Sequence, residues 1–246
     1  MDNVFIISGL DRDFNLRRIE RYLTLVYNSG AKPIIILNKE DICNDIESCI
    51  AGIESIAFGV PVHAVSAINK NSLKELYSLL KKGETSVLLG SSGVGKSTLV
   101  NALSGIDTQK VQAISSFVKK GRHTTTHREL FLIPNGSILI DNPGMRELGL
   151  YDSSDSIKDV FTEIEELSKN CKFTDCNHEK EPGCAVKESI KTGVLSQGRY
   201  KSYIKLKNEA HYLKMKDHKT SDAIEKEKWK GIRLKQRQMY NNTNKK

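Results

Sequence analysis

Residues 90–97 read Gly-Ser-Ser-Gly-Val-Gly-Lys-Ser, which fits the phosphate-loop pattern G-x-x-x-x-G-K-[ST]. The apolar stretch 86–89 before it predicts a strand and residues 97–103 after it predict a helix, the setting in which this pattern binds phosphates. Glycines let backbone N–H groups curl around phosphate oxygens, and the helix adds the positive end of its dipole. We expect Lys96 to reach the β- and γ-phosphates of a nucleotide and Ser97 to bind Mg²⁺. The predicted phosphate-binding residues are Gly90, Ser91, Ser92, Gly93, Val94, Gly95, Lys96, Ser97 and Thr98.

Residues 38–41, Asn-Lys-Glu-Asp, fit the guanine-reading pattern N-K-x-D and follow the apolar run 33–37, which predicts a central strand of a parallel sheet. Asp41 can accept hydrogen bonds from the ring N–H and the exocyclic amine of guanine, whereas adenine has a bare ring nitrogen there. We expect Asn38 to brace the loop and approach the purine, and the Lys39 stem to lie along the base. Because N-K-x-D alone is a weak signal, a generic P-loop ATPase remains a distant alternative.

A second base-reading element follows the predicted strand 62–65. Ser66-Ala67 resembles the S-A motif whose backbone N–H meets the carbonyl oxygen of guanine. Together with residues 38–41 and the phosphate loop, it makes the guanine assignment specific. The predicted base-binding residues are Asn38, Lys39, Glu40, Asp41, Ser66 and Ala67.

Residues 141–144, Asp-Asn-Pro-Gly, fit D-x-P-G and follow the predicted strand 137–140. We expect Asp141 to hold Mg²⁺ through water and the Gly144 N–H to sense the γ-phosphate. The threonine run 124–126 lies in the predicted loop 105–128 between these motifs, and Thr125 is predicted to complete the Mg²⁺ shell.

The position that holds a water-orienting glutamine in many GTPases is Met145, which can neither donate nor accept a useful hydrogen bond. Hydrolysis then needs another group. His123, beside the threonine run, is predicted to orient or polarise the attacking water. The alternative is an exposed loop histidine with no role.

Strands and helices alternate along the first 150 residues, which predicts an α/β fold with a doubly wound, mostly parallel sheet. The pattern then becomes helical, with a cysteine-rich insert and a basic tail. We predict a nucleotide-binding domain over 1–152, a small helical zinc-binding domain over 153–213, and a basic extension over 214–246 that is helical or disordered. The predicted strands are 4–7, 33–37, 62–65 and 86–89 with a hairpin of 129–134 and 137–140, and the predicted helices are 15–27, 42–52, 73–80 and 97–103.

Three cysteines and a histidine form the pattern C-x4-C-x-H-x5-C. A Cys₃His set suits tetrahedral Zn²⁺ in a closed structural site, and four protein ligands leave no open position for catalysis. Metal binding is expected to supply the folding energy of this small segment. Cys43 and Cys49 lie on a predicted helix and are expected to be inert. The predicted zinc ligands are Cys171, Cys176, His178 and Cys184.

The charge of the chain is unevenly distributed. Residues 199–246 hold 15 Lys and Arg against 5 Asp and Glu, a net charge of +10, whereas residues 1–198 have a net charge of −2. The asymmetry favours a polyanionic partner, and RNA is the first candidate for it. The alternative is that the basic tail is a solvated helix with no partner. No apolar run approaches the roughly 20 residues that cross a bilayer, and the N-terminus does not resemble a signal peptide. We expect a cytoplasmic monomer with no membrane contact.

The chain closely resembles the circularly permuted GTPases of the ribosome small-subunit-dependent GTPase A family over residues 2–203. The resemblance lies in the order of its motifs, which is N-K-x-D, S-A, GxSGVGKST, G-R-H-T-T-T, D-x-P-G and then the Cys/His cluster. The resemblance implies a GTP-hydrolysing factor that docks on the small (30S) ribosomal subunit and its rRNA late in maturation. It also implies that the ribosome stimulates hydrolysis, that turnover to GDP releases the factor, that His123 is catalytic, and that residues 171–184 form a zinc finger.

Two features depart from that family. Its members normally carry an N-terminal OB-fold domain that contacts ribosomal RNA, and this chain begins at what would be the following strand, so it is either a piece or a shortened relative. The basic extension 214–246 is longer than the family's usual ending. These departures leave open a second hypothesis, a nucleotide-gated RNA- or ribosome-binding module with negligible turnover.

Overall fold

The structure is a computed structural model that describes residues 1–104, 129–141, 149–150 and 153–218. Six strands in these residues form one sheet in the order β3-β2-β1-β4-β6-β5. All neighbouring pairs are parallel except β5 and β6, which are antiparallel. The predicted α/β fold with a mostly parallel, doubly wound sheet is confirmed. The strands are β1 (Asn3–Gly9), β2 (Lys32–Asn38), β3 (Val62–Val65), β4 (Thr85–Gly90), β5 (Glu129–Leu132) and β6 (Ile138–Asp141).

Helices connect the parallel strands, as crossover connections require. In the first of them, the Asn15 side chain caps the N-terminus by accepting from the backbone N–H groups of Arg17 and Arg18. The described helices are α1 (Leu16–Asn28), α2 (Ile46–Glu54), α3 (Lys70–Ser78), α4 (Lys96–Ser104), α5 (Ser154–Val160), α6 (Thr162–Lys169), α7 (Ala185–Lys191) and α8 (Gln197–His218).

The prediction that a helix begins at residue 42 is wrong. Residues Glu40–Ile42 form a short 3-10 turn, and α2 begins only at Ile46, because the Asp45 side chain accepts from the Ser48 N–H and caps it. Cys43 is therefore outside α2, whereas Cys49 is on it.

Strand β1 runs through the middle of the sheet and divides the core between its two faces. Val4 and Ile6 pack on one face with α1, whereas Phe5 and Ile7 pack on the other with α3 and α4. All four side chains are buried, as expected of a parallel strand covered on both sides.

The C-terminal helices share the core of the first face. Phe161, Ile164, Val186 and Tyr203 belong to the same apolar cluster as Ile19 and Leu23 of α1 and the strands beneath them. The C-terminal helices thus pack against this face of the sheet. None of the helices in the described ranges is long and apolar enough to cross a membrane.

Candidate nucleotide site and metal centre

The predicted nucleotide-binding residues lie where parallel strands end. Strands β2, β3, β4 and β6 end at Asn38, Val65, Gly90 and Asp141, all on one edge of the sheet. The strand order changes direction between β1 and β4, and ligands of open α/β sheets bind at such a switch point. This edge therefore forms the candidate nucleotide site.

The phosphate loop joins β4 to the first turn of α4 and passes close to other backbone and amide groups. Gly95 has a φ of +96°, and a Cβ there would lie 2.3 Å from Asn38 Nδ2. A Cβ on Gly90 would lie 2.5 Å from the carbonyl oxygen of Ile7. Both positions therefore require glycine.

Lys96 is buried at the start of α4, and its ammonium group donates to the carbonyl oxygens of Gly90 (2.9 Å) and Ser91 (2.8 Å). Burial lowers the pKa of Lys96, and the charges of Asp141 and Asp13 partly oppose that shift. The lysine is thus held inside the phosphate loop by carbonyl acceptors, in a position to exchange them for phosphate oxygens.

Asp141 and Ser97 form the acidic side of the site. Ser97 Oγ donates to Asp141 Oδ2 at 3.1 Å, whereas Asp141 Oδ1 is buried with no hydrogen-bond partner among the described residues. Burial raises the pKa of Asp141, with the Ser97 hydrogen bond and Lys96 opposing it. A hydroxyl beside a buried, unsatisfied carboxylate oxygen is a donor set that fits a hard divalent cation.

Asn38 and Lys39 connect the guanine-reading segment directly to the phosphate loop. The buried Asn38 side chain donates from Nδ2 to the Val94 carbonyl oxygen at 2.8 Å. Lys39 Nζ donates to the Gly93 carbonyl oxygen at 3.0 Å. Lys39 has a φ of +70°, a left-handed conformation that is uncommon for a residue other than glycine. These contacts fix the position of the guanine-reading segment relative to the phosphate loop.

The Asp41 carboxylate is exposed at this edge and oriented by Ser66, whose buried hydroxyl donates to Asp41 Oδ1 at 2.6 Å. The serine of the S-A motif thus holds the carboxylate that is predicted to read guanine, a side-chain role that its pattern did not indicate. Glu40 accepts from the Ser72 hydroxyl, which connects the 3-10 turn to α3. Ala67 packs against the apolar cluster that contains Phe5 and Ile7 of β1.

The structure therefore brings the described nucleotide-site residues to one edge, with Ser92 and Thr98 exposed there. The predictions for His123, Thr125 and Gly144 fall outside the described residues, and so does Met145.

The four predicted metal ligands lie together, with their ligand atoms all within 4.8 Å of one another. His178 Nδ1 is 3.3 Å from Cys184 Sγ and 3.6 Å from Cys171 Sγ. The two sulfurs are 3.9 Å apart. Three thiols and one imidazole nitrogen converging on one point fit a closed tetrahedral metal site.

The other ring nitrogen of His178 is held by α6. His178 Nε2 lies 3.1 Å from Ser168 Oγ, and that hydroxyl donates to the Ile164 carbonyl oxygen at 2.8 Å. Because Ser168 uses its proton there, its oxygen accepts from Nε2–H, which leaves Nδ1 bare and facing the thiols.

Cys171 and Cys184 are placed by the start of α7. Cys184 is the residue before that helix. Burial raises the pKa of Cys171, but the backbone N–H groups of Val186 and Ala185, together with the thiols of Cys184 and Cys176, outweigh it, so the pKa lies below that of an ordinary thiol. The helix N-terminus therefore favours the thiolate that a metal ligand must be.

Sequence reasoning missed Ser168 and the carboxylates Asp11 and Asp13, which contact the guanine-reading and phosphate segments. The sequence held only a weak signal for the two carboxylates, because Asp11 comes four residues after the predicted strand 4–7, whereas residues 38–41 directly follow theirs. Ser168 carried no signal of this kind.

A comparison with protein-family models matches residues 1–151 to the RsgA GTPase family and residues 85–224 to a family described as 50S ribosome-binding GTPase. The Small ribosomal subunit biogenesis GTPase RsgA 1 of Oceanobacillus iheyensis is 45% identical over 235 residues, which are 95% of this chain and 67% of that protein. The RsgA of Methanosarcina acetivorans is 45% identical over 94% of this chain and 62% of that protein.

Two solved structures also resemble this chain. YjeQ from Thermotoga maritima matches with a TM-score of 0.57 and 28% identity, over 85% of this chain and 71% of that one. YloQ, described as a circularly permuted GTPase, matches with a TM-score of 0.57 and 30% identity, over 89% of this chain and 69% of that one. The chain spans 62 to 68% of the length of the curated relatives it matches. With 45% identity over nearly its whole length, it belongs to the RsgA GTPase family.

Proposed function

We propose that this chain is a GTP-binding and GTP-hydrolysing factor that acts in late maturation of the small (30S) ribosomal subunit. The observation that carries the proposal is the placement of Asp41, oriented by Ser66, on the same sheet edge as the phosphate loop, with Asn38 and Lys39 joining the two. The name of its relatives, small ribosomal subunit biogenesis GTPase, supports the ribosomal assignment.

The contacts of the described residues support the roles of Asp41, Lys96, Ser97 and Asp141, and the sequence adds Thr125. Asp41 selects guanine, because a bound base would cover its carboxylate and adenine would offer that carboxylate no pair of donors. Lys96 binds the β- and γ-phosphates. Ser97 and Asp141 would hold Mg²⁺, with Thr125 completing the shell, and the ion would neutralise charge on the phosphates.

Since Met145 cannot orient the attacking water, His123 is proposed as the catalytic residue. The family resemblance supports this role. Gly144 is proposed to sense the γ-phosphate through its backbone N–H.

The Cys₃His cluster is proposed to hold one structural Zn²⁺. Thiolate and imidazole ligands suit this ion, and the set supplies all four positions of a tetrahedral site. The centre then stabilises the segment between α6 and α7 and takes no part in hydrolysis.

GTP hydrolysis with and without purified small subunits tests the proposal. We expect the wild type to hydrolyse GTP faster with subunits, and the full chain to co-sediment with them in a non-hydrolysable GTP analogue but not in GDP. His123→Ala should reduce turnover and leave GTP binding unchanged. His211→Ala, which changes an exposed histidine on α8, is the matched control.

A second candidate is a nucleotide-gated RNA- or ribosome-binding module with negligible turnover. Met145 and the exposed lysines Lys201, Lys205 and Lys207 on α8 favour it. Two results together would replace the first proposal with this one. The chain would co-sediment with small subunits only in the GTP analogue, and the wild type would hydrolyse GTP no faster than His123→Ala.

A further inference from the structure

The loop between β1 and α1, residues 10–15, lies between the two halves of the nucleotide site; we call it the acidic loop. Strand β1 separates β2, which carries the guanine-reading segment, from β4, which carries the phosphate loop. Because neighbouring strands are about 4.8 Å apart, the ends of β2 and β4 are about 10 Å apart. The acidic loop follows the strand between them, and its Leu10 N–H donates to the Asn38 carbonyl oxygen at 2.8 Å.

Asp11 holds the lysine of the guanine-reading segment. Its Oδ2 accepts from Lys39 Nζ at 2.6 Å, and the same ammonium donates to Gly93 of the phosphate loop. Its Oδ1 accepts from the Asp13 N–H at 2.9 Å, which fixes the carboxylate. Lys39 lowers the pKa of Asp11, as an ion pair should.

The residue before the acidic loop leaves room for this carboxylate. A Cβ on Gly9 would lie 2.7 Å from Asp11 Oδ1, closer than real Cβ contacts allow. A side chain at position 9 would therefore displace the Asp11 carboxylate from the position shown here.

Asp13 holds the phosphate loop in the same way. Its Oδ2 accepts from the Ser91 hydroxyl, and its Oδ1 accepts from the guanidinium of Arg18. Arg18 also donates to Ser91 Oγ at 2.9 Å. Since Ser91 supplies a carbonyl acceptor to Lys96, Asp13 acts on the segment that holds the phosphate-binding lysine.

Two carboxylates beside a phosphate site would repel a nucleotide unless each were neutralised. Lys39 neutralises Asp11 and Arg18 neutralises Asp13, so the charges of the two carboxylates form ion pairs within the site instead of repelling the ligand. We propose that Asp11 and Asp13 are positioning residues for guanine-nucleotide binding, Asp11 acting through Lys39 and Asp13 through Ser91. This inference rests on the proposed function.

Double-mutant cycles on the full chain test it, with dissociation constants for GDP and for a non-hydrolysable GTP analogue. Asp11→Asn should weaken both nucleotides about fivefold, the effect of about 1 kcal/mol for a half-buried ion pair. In a Lys39→Met background the same change should have less than about a twofold effect, because its partner is gone. Asp13→Asn and Ser91→Ala should be coupled in the same way.

The cycle has two controls. The pair Asp11→Asn and Ser91→Ala should be additive within about twofold, because those side chains do not share a bond in the described structure. Asp155→Asn removes a carboxylate that also pairs with a lysine, but on α5, and should leave both affinities unchanged.

A merely structural role would lower the melting temperature and show no coupling with Lys39 or Ser91. Additive effects in the Asp11–Lys39 and Asp13–Ser91 cycles, or unchanged affinity in both aspartate variants, would overturn the inference while the wild type still bound GTP. A wild type that bound no guanine nucleotide would instead overturn the proposed function.

Discussion

The metal centre and the nucleotide site are assembled in opposite ways. All four metal ligands come from residues 171–184, whereas the nucleotide site combines the ends of separate strands from Asn38 to Asp141. The metal centre is therefore local, with little apolar material of its own. The nucleotide site is placed by the sheet, whose parallel strands bring distant residues to one edge.

This difference teaches where each site is vulnerable. A single ligand lost from the metal centre removes part of what holds its own segment in place. A single side chain lost from the nucleotide site changes recognition, because the sheet beneath it is held by buried strands such as β1. Four substitutions, taken from the largest expected effect to the smallest, test this contrast.

The largest effect is expected for Asp41→Asn. An amide cannot accept from both donors of guanine, so GTP affinity should fall about a thousandfold, or about 4 kcal/mol, and xanthosine triphosphate should be preferred. The melting temperature should stay within about 2 °C of the wild type, since Asp41 is exposed. Titration with both nucleotides measures this, with Asp155→Asn as the control. Unchanged GTP affinity would show that Asp41 does not read the base.

Cys184→Ala should weaken metal binding by a few hundredfold. Structural zinc in small domains binds with about 10–16 kcal/mol, of which one of four ligands carries about a quarter. Competition with a chromophoric chelator measures the affinity, and limited proteolysis should show cleavage near residues 171–184. GTP affinity should change less than about twofold.

Cys49→Ala is the matched control for that change, because Cys49 is on α2, away from the four ligands. Equal metal affinity in the wild type and Cys184→Ala would contradict the Cys₃His assignment. A large loss of GTP affinity in Cys184→Ala would show that the nucleotide site depends on the structure of the metal centre.

The contrast meets its limit at Arg199, which joins the C-terminal helices to α1 of the sheet domain. This buried side chain on α8 pairs with the fully buried Glu20 of α1 at 2.9 Å and with Glu163 of α6 at 2.6 Å. Its guanidinium also lies 4.2 Å from the centre of the Phe161 ring. Arg199→Met leaves the buried Glu20 carboxylate with the partly exposed Arg17 as its remaining cation among the described residues, which should lower the free energy of unfolding by about 3 kcal/mol.

Urea unfolding of wild type and variant measures that loss. The pair Arg21–Glu209 offers a control at the same interface, because its side chains are 24% and 28% exposed and Arg21→Met should cost about 1 kcal/mol or less. If Arg199→Met and Arg21→Met lowered the free energy of unfolding equally, burial of the Glu20–Arg199 pair would not explain its contribution to stability.

The fold and the positions of both sites were predictable because their signals are local. An apolar run followed by a polar motif marks the end of a buried strand, and the predicted strand 62–65 has the bounds of β3. The spacing of Cys171, Cys176, His178 and Cys184 indicated a cluster that the structure shows. The start of α2 was misplaced because the apolar residue Ile42 belongs to a 3-10 turn before the Asp45 cap.

Contacts between distant segments were not predictable. Glu20 and Arg199 are 179 positions apart, and no local pattern pairs them. The acidic loop was missed because its role depends on β1 lying between β2 and β4, which is a property of the strand order. Ser168 was missed because it is a serine on an otherwise ordinary amphipathic helix, and only its contact with His178 identifies it.

The smallest effect, expected for Ser168→Ala, sharpens the contrast, since it asks whether the local metal centre also depends on a residue outside its motif. Ser168 accepts from His178 Nε2 and thereby keeps Nδ1 directed at the thiols. Its loss should weaken metal affinity about tenfold, the lower end of the range for residues that orient a metal ligand.

Chelator competition measures the metal affinity of Ser168→Ala, with Co²⁺ as the probe, and Ser189→Ala on α7 is the control for the same chemical change. Because the four ligands themselves remain, the Co²⁺ absorption of a tetrahedral thiolate site should persist in Ser168→Ala and disappear in Cys184→Ala. A Ser168→Ala affinity equal to that of Ser189→Ala would mean that residues 171–184 alone set the geometry of the centre.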